Sequence, residues 1–311
     1  MTLRALQPDD ADPLLALWNR SVPFDGLTPA LLREKVWEDP HFETELATVA
    51  EADRQLVGFG MARLWPTADT LRGTIKLLCV APERRREGIG GEILGRLEAG
   101  LAARGAAVAR VAEAAPNYLT PGLDVRHTPG WLFVQKHGYA PIGEAVNMTV
   151  DLRPSFDTAD AERQLAARGV AVRRAGASDR EAVRAFLAEH WPAWRPEIET
   201  TFAQEPVSLW LAFRDDALLG FSAYDANNVG TAWFGPMGTA EAARGLGIGG
   251  VLCRRCLADL KAQGHARATI PWVAPVGFYA HHAGARVSRV FHRFEKALDI
   301  EKSLDEPRGV G

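Results

Sequence analysis

Apolar residues of this chain recur with helical spacing most clearly after two glycine-rich turns, near residues 88 and 247. After each turn they return every three or four positions, which is the spacing of one buried helix face. A shift of 159 residues, from Gly88 to Gly247 (247 − 88), superimposes the two patterns. It carries Ile89 onto Ile248, Ile93 onto Leu252, Leu94 onto Cys253, Leu97 onto Cys256, Leu101 onto Leu260 and Gly105 onto Gly264. A match over a whole helix indicates an internal duplication.

Shorter elements precede each turn in the same order. The first half predicts strands at Leu3 to Leu6, Leu46 to Ala50, Gln55 to Arg63 and Thr74 to Val80, with helices through Leu14 and from Leu27 to Trp37, the latter capped by Thr28. The second half predicts strands at Val170 to Arg174, Ser208 to Phe213, Leu218 to Tyr224 and Thr231 to Gly238, and a helix that a capping box opens at Ser178. The repeat predicts two α/β domains, at 1–153 and 170–311, joined by a polar linker at 154–169.

The first half continues past its helix with a strand from Val108 to Val111, a helix from Trp131 to Lys136 and a last strand from Val146 to Leu152. A segment punctuated by proline and glycine lies between the first two of these. It offers several polar or ionisable side chains: Asn117, Tyr118, Asp124, Arg126 and His127. Such a segment lines an acceptor site in some proteins and is an ordinary surface loop in others, and the sequence leaves both interpretations open.

Composition limits the classes of function. Apolar residues make up 47% of the chain and charged residues 24%, which are ordinary globular values. A net charge of −3 gives no electrostatic argument for a nucleic-acid partner. Three cysteines are too few for a secreted disulfide framework, and neither a signal-peptide pattern nor an apolar run of bilayer length is present. We therefore expect a soluble cytoplasmic protein with no membrane partner.

Both glycine turns have the features of an anion site. A strand enters each turn and a helix leaves it, so free backbone N–H groups and the positive helix end point towards the same region. Glycine lets a ligand approach the backbone closely, and neighbouring arginines add positive charge. A diphosphate suits this arrangement; a turn that only permits tight packing is the alternative. A dinucleotide site fits less well because no acidic residue follows on the next strand, and a kinase-type phosphate loop is excluded because the G-K-[ST] ending is missing.

The first turn resembles the acyl-CoA-binding signature of the GNAT acetyltransferase superfamily. Val80, Pro82, Arg85, Gly88 and Gly90 stand at the fixed positions of V-x-P-x-x-R-x-x-G-x-G. The second turn keeps R-x-x-G-x-G at Arg244, Gly247 and Gly249, with Thr239 and Glu241 in place of the valine and proline. The resemblance covers both halves and implies two α/β domains with mixed sheets. The tandem layout is similar to that of double GNAT proteins, in which the two halves need not be equally active.

The resemblance implies acetyl-CoA as the cofactor and assigns residues to it. In the first half these are Leu78, Cys79 and Val80 along the pantetheine arm, and Arg85, Arg86, Glu87, Gly88, Ile89, Gly90 and Gly91 around the diphosphate. In the second half they are Met237, Gly238 and Thr239, and Arg244, Gly245, Leu246, Gly247, Ile248, Gly249 and Gly250. It also implies that Tyr279 protonates the departing thiolate, although this tyrosine is five residues before Gly284 instead of the usual four. Val134 stands at the matching position of the first half.

Other candidates for chemistry are weaker. His281 and His282 could act as bases near neutral pH, but adjacent helix residues point in different directions, so at most one faces a site. Cys253 and Cys256 fall on core positions of the repeat, so we interpret them as buried and inert. No metal-ligand spacing is present, and we predict no metal.

These patterns favour an acetyl-CoA-dependent N-acetyltransferase whose acceptor is a primary amine on a small molecule or a peptide. The alternatives are a CoA-binding module with one or both halves non-catalytic, and an aminoacyl or other acyl transferase of related fold. The acceptor, the general base, the catalytic half and the oligomeric state stay open.

Overall fold

The computed structural model describes residues 1–66 and 70–299. Its α-helices are α1 Ala11–Ser21, α2 Pro29–Lys35, α3 Ile89–Ala102, α4 Thr128–Lys136, α5 Ala159–Ala166, α6 Arg180–His190, α7 Arg195–Thr201, α8 Ile248–Ala262 and α9 Val276–Ala283. Its strands are β1 Thr2–Ala5, β2 Ala47–Ala52, β3 Gln55–Pro66, β4 Leu71–Val80, β5 Val108–Val111, β6 Leu123–Asp124, β7 Ala140–Asp151, β8 Val170–Arg174, β9 Leu209–Arg214, β10 Ala217–Tyr224, β11 Phe234–Thr239, β12 Arg267–Ile270 and β13 Arg286–Ala297. The predicted α/β class with mixed sheets is confirmed.

These elements form two compact units. The first unit contains Met1–Ala145 and continues from Phe291, and the second contains Val146–Val290. Each unit has an apolar core of its own.

The sheet of the first unit opens beside the glycine turn. Strands β1 to β4 pair antiparallel in chain order. The parallel pairing of β4 with β5 covers only Arg72 to Ile75, and the bond from the Ala112 N–H to the Ile75 carbonyl is its last within the described residues. Beyond Ile75 the edge of β4 that faces β5 is therefore available to another extended chain.

The second unit repeats this opening. Strands β8 to β11 pair antiparallel in chain order. The parallel contact of this sheet with β12 is a single bridge between Trp233 and Thr269 in the described part of the chain. The end of β11 that leads into the second turn is consequently open on the same side.

Strands β7 and β13 each pair with a strand from the other half of the sequence repeat. Residues Met148 to Asp151 of β7 pair with β12 in the second unit, and Met148 lies in that core. Residues 295–297 of β13 pair with β5 in the first unit, and Phe294 lies in that core. The predicted domains, 1–153 and 170–311, follow the sequence repeat, whereas the compact units follow strand pairing and exchange these two strand segments.

Ion pairs fix the exchanged segment of β13 in the first unit. Glu295 accepts a hydrogen bond of 2.7 Å from Arg110 on β5, and Lys296 donates one of 2.7 Å to Glu98 on α3. Arg293 pairs with the buried carboxylate of Glu113 at 2.6 Å. These contacts link three positions of the second half, Arg293, Glu295 and Lys296, to the first unit.

The predicted linker is partly helical. Helix α5 lies within 154–169, and its Leu165 packs in a cluster with Val170 and Ile248. Glu162 of α5 pairs with Arg255 of α8 at 2.5 Å. The segment therefore docks on the second unit.

In each unit an arginine–aspartate ion pair joins the first strand to the start of the helix that follows it. Asp10 accepts two bonds from Arg4 and one from the Gln7 N–H, at 2.7 to 2.8 Å. Asp179 accepts the same set from Arg173 and the Gly176 N–H, at 2.7 Å each. The predicted capping box at Ser178 was wrong, because the Asp179 carboxylate caps this turn instead.

Candidate functional site

The two glycine turns have the same backbone conformation. Arg85 and Arg244 are extended, with φ and ψ of −70° and 153° and of −65° and 151°. Gly88 and Gly247 are left-handed, with φ of 91° and 90°. Arg86 also has a positive φ, 71°, at the position of Gly245, 81°. The duplication thus extends to individual backbone angles.

Each turn leaves backbone donors available. Within the described residues no backbone acceptor is found for the N–H groups of Gly88 and Gly90, or of Gly247 and Gly249. A Cβ atom added at Gly88 or Gly247 would meet no atom within 4 Å, so the space beside these residues is open. Successive free N–H groups at a helix start form a concave anion site.

In the second unit this turn lines a groove of about 670 Å³. The groove brings together most of the predicted second-half residues: Met237, Gly238, Thr239, Arg244, Gly245, Gly247, Ile248, Gly249, Gly250 and Tyr279. Leu246 is the predicted residue of this set that is not in the lining. Trp191 also lines the groove and packs against Gly238; a Cβ at Gly238 would lie 2.6 Å from its indole. The absence of a side chain at Gly238 is the signal that could have indicated a close neighbour.

Tyr279 is suited to donate a proton in this groove. Its side chain is 8% exposed, and among the described residues its hydroxyl has no hydrogen-bond partner. Burial, with Cys253 and Cys256 nearby, raises the pKa of Tyr279, so the phenol stays protonated at neutral pH. In the first unit the buried Val134 takes this place on α4 and offers no proton.

In each unit a phenylalanine and a histidine also pack against two glycines at the start of the helix that follows the turn. Phe133 and His137 lie one helical turn apart on α4, with ring centroids 4.4 Å apart. Phe278 and His282 on α9 repeat this with 4.6 Å. His282 lines the groove and His281 is exposed, so one of the two histidines faces the site, as their adjacency predicted.

The predicted residues of the first turn lie on its surface or in its core. Arg85 donates bonds of 2.8 Å to the Ser21 carbonyl and 3.3 Å to the Val80 carbonyl. Glu87 accepts a bond of 2.9 Å from Arg84. Cys79 is buried, which raises the pKa of its thiol to about 12. The backbone of Leu78 to Val80 follows the end of the β4–β5 pairing, where the strand edge is open.

The polar segment after β5 packs into the first unit. Asn117 accepts a bond of 2.8 Å from Lys35 and donates one of 2.7 Å to the Glu34 carbonyl. Tyr118 and Asp124 are buried. The segment therefore closes over α2, and the surface-loop interpretation was wrong.

A buried ionic cluster lies beside this segment, and sequence reasoning missed it. Lys76 of β4 donates to the Lys35 carbonyl at 2.6 Å and to the Asp39 carboxylate, which also pairs with Arg63 at 3.5 Å. Arg63 donates to the Ala115 carbonyl. Burial lowers the pKa of Lys76 to about 7 despite the nearby Asp39 carboxylate. A lysine within the apolar run from Ile75 to Val80 was the available signal.

The two cysteines of α8 lie in the core of the second unit. Cys253 and Cys256 are fully buried, as the repeat predicted, and burial raises the pKa of Cys253 to about 12. No group of three or more histidine, cysteine or acidic side chains is close enough to hold a metal ion in residues 1–66 and 70–299. In the same residues no helix is long and apolar enough to cross a membrane.

Two family models match the chain. Residues 43–141 match an acetyltransferase (GNAT) domain, and residues 178–284 match the acetyltransferase (GNAT) family. An acetyltransferase of Pectobacterium atrosepticum is 33% identical over 113 residues, which are 34% of this chain and 70% of that protein.

Solved structures share the fold over nearly the whole chain. A GCN5-related glucosamine N-acetyltransferase region of a fungal multi-domain enzyme superimposes with a TM-score of 0.81 and 17% identity, covering 95% of this chain and 38% of that one. A GCN5-related N-acetyltransferase of Sphaerobacter thermophilus gives 0.71 and 18%, covering 96% and 95%. A tandem GNAT protein from clavulanic acid biosynthesis gives 0.68 and 14%, covering 96% and 98%. With its two family matches in the two halves, this chain belongs to the GNAT acetyltransferase family and carries two GNAT domains in tandem.

Proposed function

We propose that this chain is an acetyl-CoA-dependent N-acetyltransferase, that its acceptor is a primary amine, and that the second unit performs the reaction. GNAT proteins generally use acetyl-CoA. The observation that carries the proposal is the groove in the second unit, whose lining combines an anion-binding turn, the open strand β11 and the hydroxyl of Tyr279.

The residues of the groove fit the parts of CoA. The N–H groups of Gly247 and Gly249 and the guanidinium of Arg244 suit the diphosphate. The open edge of β11 suits the pantetheine arm, because its amides can pair with the strand as another strand would. Each part of the cofactor thus has a chemically matched partner in one cavity.

The chemistry we propose is direct transfer. The neutral amine of the acceptor attacks the thioester carbonyl carbon, the C–N bond forms, and the C–S bond breaks. A backbone N–H of β11 stabilises the negative charge on the carbonyl oxygen. Tyr279 gives its proton to the departing thiolate, and the proton that the amine loses goes to water.

The first unit is better suited to holding CoA than to transferring its acetyl group. Its turn has the same backbone as the second, but Val134 replaces the tyrosine. We therefore propose that this unit binds the cofactor without turnover.

The proposal is tested by mixing the purified chain with acetyl-CoA and a panel of primary amines, namely an amino sugar, an aminoglycoside, a polyamine and a peptide. Release of the CoA thiol should depend on one amine class. Calorimetric titration with acetyl-CoA then counts the sites, and we expect two per chain.

Two other results would change the proposal. Binding of CoA without turnover on any amine would favour the alternative of a CoA-binding module. If the chain bound no CoA, both functions would be excluded. We propose a small molecule or a peptide as the acceptor and the cytoplasm as the location.

A further inference from the structure

The starting observation is how closely helix α9 approaches the second turn. A Cβ atom on Gly249 would lie 3.3 Å from the ring of Phe278, and one on Gly250 would lie 2.7 Å from Nδ1 of His282. These glycines are the second and third residues of α8. The imidazole of His282 therefore rests on the start of the helix whose N–H groups form the anion site.

The first unit repeats this contact independently. A Cβ on Gly90 would lie 3.2 Å from the ring of Phe133, and one on Gly91 would lie 3.2 Å from Cε1 of His137. Two histidines in corresponding places, each seated on the third residue of the helix, are a built feature of the turn. Packing alone would be satisfied by an apolar ring of similar size.

The positively charged groups around His282 disfavour protonation of its imidazole. The charged or titratable groups that the described structure places near it are Arg254 of α8, Arg244 of the turn, and His281 and Tyr279 of α9. Burial, followed by His281 and Arg254, lowers the pKa of His282. The imidazole is therefore neutral in the empty groove at neutral pH, and an anion beside it would reverse this preference.

We propose that His282 is a proton-linked ligand of the CoA diphosphate: it takes up a proton from solvent as the diphosphate binds at the second turn. The inference rests on the proposed CoA site and adds to it a cationic donor that the glycine motif does not contain. The imidazolium N–H and the guanidinium of Arg244 then hold the anion together with the backbone N–H groups.

Calorimetry in two buffers of different ionisation enthalpy measures this uptake. The ligand is dephospho-CoA, because it keeps the diphosphate and lacks the phosphate monoester, whose own pKa near 6 would add protons of its own. We expect a net uptake of protons at pH 7 with the wild-type chain. The uptake should be smaller for His282→Gln, by the share of the second site.

His281→Gln is the matched control, since it removes the neighbouring exposed imidazole from the same helix. It should leave the proton uptake unchanged. Circular dichroism should show the same secondary structure for His282→Gln as for the wild-type chain, which verifies that the variant is folded. Between pH 8 and pH 6 the wild-type affinity should rise several-fold, within the limit of tenfold per pH unit for one proton, and the variant's affinity should rise less.

Two outcomes separate this inference from the proposed function. Binding with equal proton uptake in the wild-type chain and in His282→Gln would overturn the role of His282 and leave the CoA site intact. A wild-type chain that binds no dephospho-CoA and no CoA would overturn the CoA site itself.

Discussion

At the scale of single residues, one position of the helix beside the turn carries a different chemistry in the two units. Val134 and Tyr279 occupy matching places, and both are buried. The other contacts of this helix, a phenylalanine and a histidine on two glycines, are the same in both units. The difference is therefore one of chemistry, since the valine has no proton to give.

Replacing Tyr279 by phenylalanine removes the hydroxyl and keeps the ring. We expect turnover to fall on the order of 10²-fold, the lower end of the range for a general acid, with little change in the KM for acetyl-CoA. Steady-state rates at pH 7 measure this. Tyr224→Phe is the control, because that hydroxyl accepts a bond from Arg174 and is not part of the groove lining. Equal rates for Tyr279→Phe and the wild-type enzyme would remove Tyr279 from the mechanism.

The arginine–aspartate pairs give a pH-dependent part of the stability. Hydrogen bonds from Arg173, followed by the Gly176 N–H, hold the pKa of Asp179 below its usual value. A carboxyl with a lowered folded-state pKa adds stability that is complete above the unfolded value of about 3.9. This stability is lost as the pH falls through the folded value.

We expect Asp179→Asn to lower the free energy of unfolding by about 1 to 2 kcal/mol at pH 7. The variant should also lose less stability than the wild-type chain between pH 5 and pH 2. Urea unfolding across this range measures both. Asp216→Asn, at an exposed hairpin turn, should change neither. A variant with an unchanged acid limb would mean that this pair does not control the acid response.

At the scale of elements, helical periodicity identified α3 and α8 and their buried faces because one face of each helix meets one sheet. Local chemistry also predicted the N-cap of α2, where Thr28 accepts from the Leu31 N–H. Contacts between distant segments could not be predicted in this way. The pairing of Lys76 with Asp39 and the docking of α5 on α8 depend on how the chain returns in space. The site was accordingly predicted where it follows the turn, whereas the contact of Trp191 with Gly238 depends on where the end of α6 lies in space.

The helix that leaves the first turn offers a comparison of two glycines. Gly88→Ala places a Cβ at a φ of 91° and should cost about 1 to 2 kcal/mol. Gly95→Ala lies on the exposed face of α3, where a Cβ meets no atom within 4 Å, and should stabilise the chain by about 1 kcal/mol. Thermal unfolding measures both changes. The same sign for both would show that the turn conformation is not a constraint.

At the scale of the whole molecule, the exchanged strands decide which residues stabilise which unit. The sequence predicts a strand from Val146 to Leu152, which overlaps β7, but contains no information about its partner strand. The sequence repeat places the boundary between the halves near residue 153, and the pairing with β5 and β12 places it inside two strands. Long-range pairing is a property of the folded chain as a whole, which is why the repeat alone could not reveal it.

Truncation of one buried side chain in each exchanged segment tests this assignment. Phe294→Ala should cost about 3 to 5 kcal/mol and loosen the first unit, although Phe294 lies near the end of the chain. Met148→Ala should cost about 2 to 5 kcal/mol and loosen the second unit. Hydrogen exchange of α3 and α8 separates the two effects. If Phe294→Ala lowered the protection of α8 and left that of α3 unchanged, the assignment of this segment of β13 to the first unit would be wrong.

The exchange of these two strand segments also determines the order in which the two units can be completed during synthesis on the ribosome. Residues of the second unit are contiguous, from Val146 to Val290, so this unit can close as soon as its last residue has emerged. The first unit lacks the segment from Phe291 to Ala297 until the second unit has been synthesised. Domains usually fold from the N-terminus as they are made, but here the N-terminal unit is completed last. During that interval β5 presents an unpaired edge, which other nascent chains or chaperones can reach.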